Sequence, residues 1–227
     1  MHRWTIILTL IFLAGGIAAA QSASMTSKQM VEKGSTAAHF GQFDEALRWY
    51  RAGAELDDPE AEDALGQMYL NGSGVREDLA EALAWFRKAA DKDDPGAETY
   101  LGIMFSSGWG VRQDYAVALK WYLKAAKHGD VVAAENIGMM YLNGLGPPAD
   151  FEKARPWFHQ AIAGGNTLPI PILCDPSRAS FVLAERHSDV VAMDRVISQT
   201  DAYCTDLLAE MKARRDTTAK GRRPTNR

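Results

Sequence analysis

Cysteine is nearly absent: the 227 residues hold two, Cys174 and Cys204. That excludes a disulfide-dense small domain and a multi-cysteine zinc module. Histidine is also scarce. His2, His39, His128, His159 and His187 fall at no metal-ligand spacing, and neither His-Glu-x-x-His nor an EF-hand loop occurs. Gly-x-Ser-x-Gly and Ser-x-x-Lys are missing too, so the familiar hydrolase nucleophile motifs are not there. Gly72-Ser73-Gly74 starts like a dinucleotide fingerprint, but Glu77 stands where the third glycine belongs. The sequence calls for no metal, no cofactor and no catalytic residue. An excess of positive charge is lacking as well: the net charge of −4 argues against a nucleic-acid partner.

Charge is nevertheless uneven. Residues 212–227 hold seven bases and one acid, whereas residues 21–211 hold 28 acids and 17 bases. The body is acidic and the tail basic. The tail carries no aromatic or branched aliphatic residue, which reads as a solvated end. Electrostatic contact with anionic lipid is the sharper alternative for it. At the other end, Met-His-Arg precedes an uncharged apolar run from Trp4 to Ile17 and then Ala18-Ala19-Ala20. Basic start, apolar centre and small residues together read as a secretory signal peptide over residues 1–20. The run is shorter than the ~20 residues of a spanning helix. No cysteine follows Leu13-Ala14-Gly15, so lipid attachment has no support. The expected address is export, with the periplasm ahead of secretion into the medium.

What the sequence has in quantity is self-similarity. Three blocks, 61–96, 97–132 and 133–168, align without gaps at a period of 36. Gly66/Gly102/Gly138, Asp78/Asp114/Asp150 and Trp85/Trp121/Trp157 recur, as do the Gly-x-Gly pairs starting at Gly72, Gly108 and Gly144. Each block reads as two helices. The mid-helix glycine implies close approach of the partner helix, since glycine otherwise costs up to ~1 kcal/mol there. The Gly-x-Gly pair ends the first helix. The aspartate caps the second, and Asp78 with Glu81 has the capping-box spacing. The tryptophans, with Trp49 before them, read as core. Trp109 sits between two loop glycines and is left open between packing and ligand contact. Residues 25–60 form a shorter related unit, with an inter-helix loop four residues shorter than in the later blocks.

The pattern Ala-x-x-x-Leu-Gly-x-x-Tyr-x-x-Gly-x-Gly-Val-x-x-Asp-x-x-x-Ala-x-x-Trp-Tyr/Phe-x-Lys-Ala-Ala resembles the Sel-one-like repeat, a tetratricopeptide relative. It covers residues 61–168 clearly and 25–60 in degenerate form. Block three departs from it at Pro147-Pro148 and at Pro156. The resemblance implies an all-α fold, an α-solenoid of stacked antiparallel helix pairs with a right-handed superhelix, and a role in holding other proteins. In the tetratricopeptide relatives the first helix of each pair lines the concave face. Carried over by position, that places Asp63, Gln67 and Asn71, then Thr99, Ile103 and Ser107, then Glu135, Met139 and Asn143 along a groove for a protein or peptide partner. Ordinary solvent-facing positions are the plain alternative for each. Cysteine-rich relatives bridge inside each repeat, and blocks one to three have no cysteine.

After Gly165 the repeat ends. Residues 168–173 must be extended because of their prolines. Helices are expected at 177–187 and from Ser188 to about Ala213, making 169–213 a C-terminal cap over the stack, followed by the basic tail at 214–227. In an oxidising compartment Cys174 and Cys204 form, most simply, a disulfide; a redox-active pair has no Cys-x-x-Cys motif behind it. Three functions stay in view: an exported interaction scaffold, an envelope enzyme acting on peptidoglycan or β-lactams, and a secreted effector.

Overall fold

A computed structural model describes residues 25–166, 202–206 and 209 of the chain. The signal-peptide reading of residues 1–20, Cys174, the basic tail and most of the C-terminal cap lie outside the described residues. Among the described residues the architecture is all-α, with consecutive helix pairs and no strand, the α-solenoid class that the repeat implies. The helices are α1 (Ser27–His39), α2 (Phe43–Ala54), α3 (Pro59–Asn71), α4 (Leu79–Ala90), α5 (Pro95–Ser107), α6 (Tyr115–Lys127), α7 (Val131–Asn143) and α8 (Phe151–Ala163). They fall into two compact units. The first extends to Gln113 and holds α1–α5; the second starts at Asp114 and holds α6–α8.

Local chemistry sets the ends. α1 opens on a reciprocal capping box: the Thr26 hydroxyl accepts from the Gln29 N–H at 3.3 Å, and the Gln29 side chain accepts from the Thr26 N–H at 3.0 Å. Asp78, Asp114 and Asp150 cap α4, α6 and α8 as expected, Asp78 accepting from the N–H groups of Ala80 and Glu81 at 3.0 Å. At Asp78 the expected box is only half made. Its own N–H donates to the Tyr69 carbonyl at 2.9 Å, so the Glu81 carboxylate has no donor left to serve. A second series, Asp58, Asp94 and Asp130, caps α3, α5 and α7 and escapes the sequence motifs. Pro59 and Pro95 follow at the first helical position, where a missing N–H is harmless.

Gly72, Gly108 and Gly144 end the first helices at φ 65°, 75° and 64°, each N–H returning to the carbonyl four residues back. Residues 40–42 join α1 to α2 and residues 72–78 join α3 to α4, three residues against seven, which is the expected difference of four. A further left-handed position follows each second helix at Asp57, Asp93, Gly129 and Gly165. Aspartate tolerates that conformation better than most side chains. Gly129 and Gly165 adopt it without the strain that a side chain brings.

In three pairs the helices meet at the mid-helix glycine. A Cβ on Gly34 would lie 2.5 Å from the Tyr50 ring, one on Gly66 2.5 Å from Phe86, and one on Gly138 2.5 Å from Phe158. Gly102 stands at the same position of α5. It is buried in the middle of α5. The aromatic one period on from Phe86 is Tyr122, however, and it belongs to α6 in the second unit. The glycine–ring contact is thus established inside a unit at Gly34, Gly66 and Gly138. Close approach is confirmed at those three glycines, but the group that approaches corrects the core reading. Phe86 and Phe158 are fully buried, and Tyr50 and Tyr122 nearly so, whereas Trp49, Trp85, Trp121 and Trp157 are only half-buried. Adjacent residues on a helix point about 100° apart, so only one of the two aromatics faces the partner helix. The tryptophans sit at the boundary under lysines: Lys33 lies 5.1 Å from the Trp49 ring centre, Lys88 5.4 Å from Trp85 and Lys124 5.8 Å from Trp121.

The first unit is finished by polar residues on α1. Gln29, Lys33 and Thr36, 32 residues before Ala61, Leu65 and Met68, are exposed where their later counterparts are buried. A polar outer face of this kind ends a stack of repeats. In the second unit α8 runs on through Pro156. Residues 202–206 are helical there and seat Tyr203 and Cys204 against Leu142, Phe151 and Phe158. The Tyr203 ring meets those of Phe151 and His159 edge-on at 5.6 and 5.1 Å. Among the described residues, no helix is long and apolar enough to cross a membrane.

Candidate functional site

Asp63, Gln67 and Asn71 occupy one stripe of α3, four residues apart. Gln67 Nε2 donates to Asp63 Oδ2 at 2.8 Å, which leaves the Gln67 carbonyl to accept. Asn71 is exposed at the top of the stripe. Beside it a recess of about 150 Å³ opens. Ala38, Phe43, Tyr50, Ala64 and Met68 form its apolar wall, with Gln67, Asn71 and Ser73 at the rim. Phe43 is 40% exposed. An apolar pocket rimmed by amides suits one side chain and the backbone of an extended segment.

The stripe does not continue unchanged through the later repeats. On α5, Ser107 is exposed and Ile103 half-buried, but Thr99 is buried at 5% exposure. On α7, Asn143 is buried at 8%, its Nδ2 donating to the Met139 carbonyl at 2.9 Å. Thr99 and Asn143 are therefore corrected from groove residues to interior ones. Asn143 lies in the last turn of α7, where its amide serves a carbonyl four residues back. Met139 packs against the cluster around Phe151 and Phe158. Glu135 accepts from Asn166 Nδ2 at 2.7 Å. Trp109 is 45% exposed.

One buried polar group was not expected from the sequence. Glu62 is fully buried on α3. Lys88 Nζ lies 2.7 Å from its Oε1, and Lys92 Nζ 2.9 Å from both of its oxygens. Lys92 also donates to the carbonyl and carboxylate of Asp57 at 2.9 and 3.2 Å. This charge cage is anchored at the left-handed turn after α2. Burial pulls the Lys92 ammonium pKa down, but hydrogen bonds to Glu62 and Asp57, with their charges, outweigh it and leave it raised. The Lys92 hydrogen bond and the two lysine charges hold the Asp57 carboxyl below its usual range. A lysine used as a base or nucleophile needs the opposite shift, so the cage reads as structural. Glu98, one period on from Glu62, is also fully buried. The signal for both was a glutamate set within an apolar stripe, between Ala61 and Leu65 and between Ala97 and Leu101.

Helix pairs closed by a glycine–ring contact, with caps recurring every 36 residues, define a helical-repeat protein. The Sel1 repeat model matches residues 32–58, 59–94, 95–130 and 131–166, and the chain belongs to the Sel1 repeat family. The last three frames begin two residues ahead of the blocks read from the sequence, and the first begins inside the shorter unit at 25–60. Two solved structures are similar. A Sel1 repeat protein from Oxalobacter formigenes is 31% identical, with a TM-score of 0.57 over 78% of this chain and 73% of that one. A protective antigen present in uropathogenic Escherichia coli strains, described as displaying an SLR fold, is 31% identical, with a TM-score of 0.54 over 70% of this chain. The match spans only 33% of that antigen. No curated protein matches the chain. Membership of this family makes the chain a protein-interaction repeat scaffold.

Proposed function

We propose that this scaffold is exported, takes no catalytic role, and binds a protein or peptide partner along the first helices of its pairs. The observation that carries the reading is the Asp63–Gln67–Asn71 stripe beside an open apolar recess. The raised Lys92 supports a structural use of the one charge cage described in the first unit. Asn71 and Ser107 are the exposed positions by which to test the face. In the native host, N71E/S107E loses the partner that crosslinks to the unaltered chain. Equal recovery by the two chains overturns the proposal.

Export rests on the three-part N-terminus. The mature chain then starts at Gln21 and is recovered from the periplasmic fraction; intact residues 1–20 in a cytoplasmic pool refute this. In that compartment Cys204, buried against Phe151 and Phe158, bonds to Cys174. The predicted mass under non-reducing conditions is two hydrogens below that of the reduced chain. The basic tail gives weak contact with anionic lipid, read as salt-sensitive liposome binding that disappears when residues 212–227 are removed.

A further inference from the structure

We propose that the recess beside Ala64 receives a single apolar side chain from a basic, extended peptide segment, and that residue 64 decides whether this site exists. The proposal rests on the scaffold reading above and names the chemistry of its partner. The recess, at about 150 Å³, matches in size the ~150 Å³ apolar cavities that take up a benzene-sized group.

The next repeat shows what closes such a space. One period on, Phe43, Tyr50 and Met68 become Leu79, Phe86 and Met104, all still large. Ala64 becomes Tyr100, whose ring lies flat on Phe86 with centroids 4.8 Å apart and planes 8° from parallel. The second repeat thus lays its own ring on Phe86 at the position where the first repeat has only the Ala64 methyl beside Tyr50, and the recess is the space left there. The rim changes with it: Gln67 and Asn71 become Ile103 and Ser107, so the two amides that would hold a peptide backbone occur only where the recess is open. Charge selects the flanking residues. Residues 25–113 carry 16 acids and nine bases, net −7, while residues 114–166 carry five of each. A negative surface of this size attracts Lys and Arg around the anchoring side chain.

The probe is the capped peptide Gly-Lys-Lys-Leu-Lys-Lys-Gly, titrated at low salt into the isotope-labelled full chain and followed by NMR. Saturable shifts are expected at the Gln67 and Asn71 side-chain amides. Replacing the peptide leucine by glycine weakens binding at least about tenfold, and replacing its lysines by glutamate abolishes it. A64Y, which copies the arrangement at Tyr100, loses the leucine-dependent part. The leucine-to-glycine comparison is made on the unaltered chain and so does not depend on A64Y folding. Equal binding of the leucine and glycine peptides, or unchanged leucine-dependent binding by a folded A64Y, overturns the proposal, as does the absence of shifts. If N71E/S107E still loses its crosslinked partner, that failure belongs to the recess alone and the scaffold reading stands.

Discussion

Two helix pairs fill one packing position in opposite ways. In α3–α4 the position holds Glu62, fully buried between Lys88 and Lys92. In α7–α8, two periods on, it holds Ala134, and the lysine positions hold Gln160 and Gly164. Gln160 turns to donate to the Ala126 carbonyl at 3.0 Å. The α1–α2 pair is apolar in the same sense, with Met30 facing the register of Ala52 and Leu56. Between these pairs acid and lysines come and go together. The repeat does not require the cage. Where an acid is present it must be fully paired, because burying a lone carboxylate costs far more than the pair returns.

The sharpest way to break this comparison is to place the acid where no lysine waits. A134E is expected to cost about 4 kcal/mol or more at neutral pH, the scale of a buried carboxylate whose pKa rises by three or more units. Urea denaturation reads it, and the loss grows as pH rises; a loss under about 1 kcal/mol shows that the site tolerates charge unaided. Next is removal of the lysines. K88M/K92M strands Glu62 and lowers stability by about 3–5 kcal/mol. The exchange E62A/K88Q/K92G copies α7–α8 into α3–α4 and should stay within about 1 kcal/mol of the parent. A penalty like that of K88M/K92M would make the cage a true source of stability.

The pH dependence separates the pairs further. The folded pKa of Asp57 is depressed, so the stability it adds is present above its unfolded pKa and lost as pH falls through the folded value. Lys92 is raised, so its part is complete below its unfolded pKa and lost as pH climbs through the folded one. The parent should therefore lose stability at both extremes more steeply than the E62A/K88Q/K92G exchange; coincident curves would remove Asp57 and Lys92 from the account. The smallest effect concerns the caps. D78A costs about 1 kcal/mol, and E81A less than about 0.5 kcal/mol because its half of the box is not made.

The sequence made legible whatever recurs. The period of 36, the closing glycines, the second-helix aspartates and the shortened first loop all repeat, and repetition separates them from the background. The tryptophans were read as core because adjacent aromatics share the period and only the helical twist decides which one turns in. The cage was missed because its acid and its lysines stand on different helices. Glu62 looks like a surface acid until Lys88 and Lys92, on another helix, are seen to enclose it. At the candidate face, register placed Asp63, Gln67 and Asn71 on a single stripe. It gave no warning that Thr99 and Asn143 are interior, since burial depends on packing that a helical register does not contain. The recess at Ala64 was equally hidden, because an alanine in a helix carries no signal until its neighbours are known to be large.

The contact between a mid-helix glycine and an inward ring has an evolutionary corollary. Gly34 with Tyr50, Gly66 with Phe86 and Gly138 with Phe158 each lie within one hairpin. Duplicating or deleting a whole hairpin leaves neither half of such a contact orphaned. Copy number can drift by recombination without a compensating change elsewhere, so lineages of these chains can lengthen or shorten their reach while every remaining module keeps its own lock.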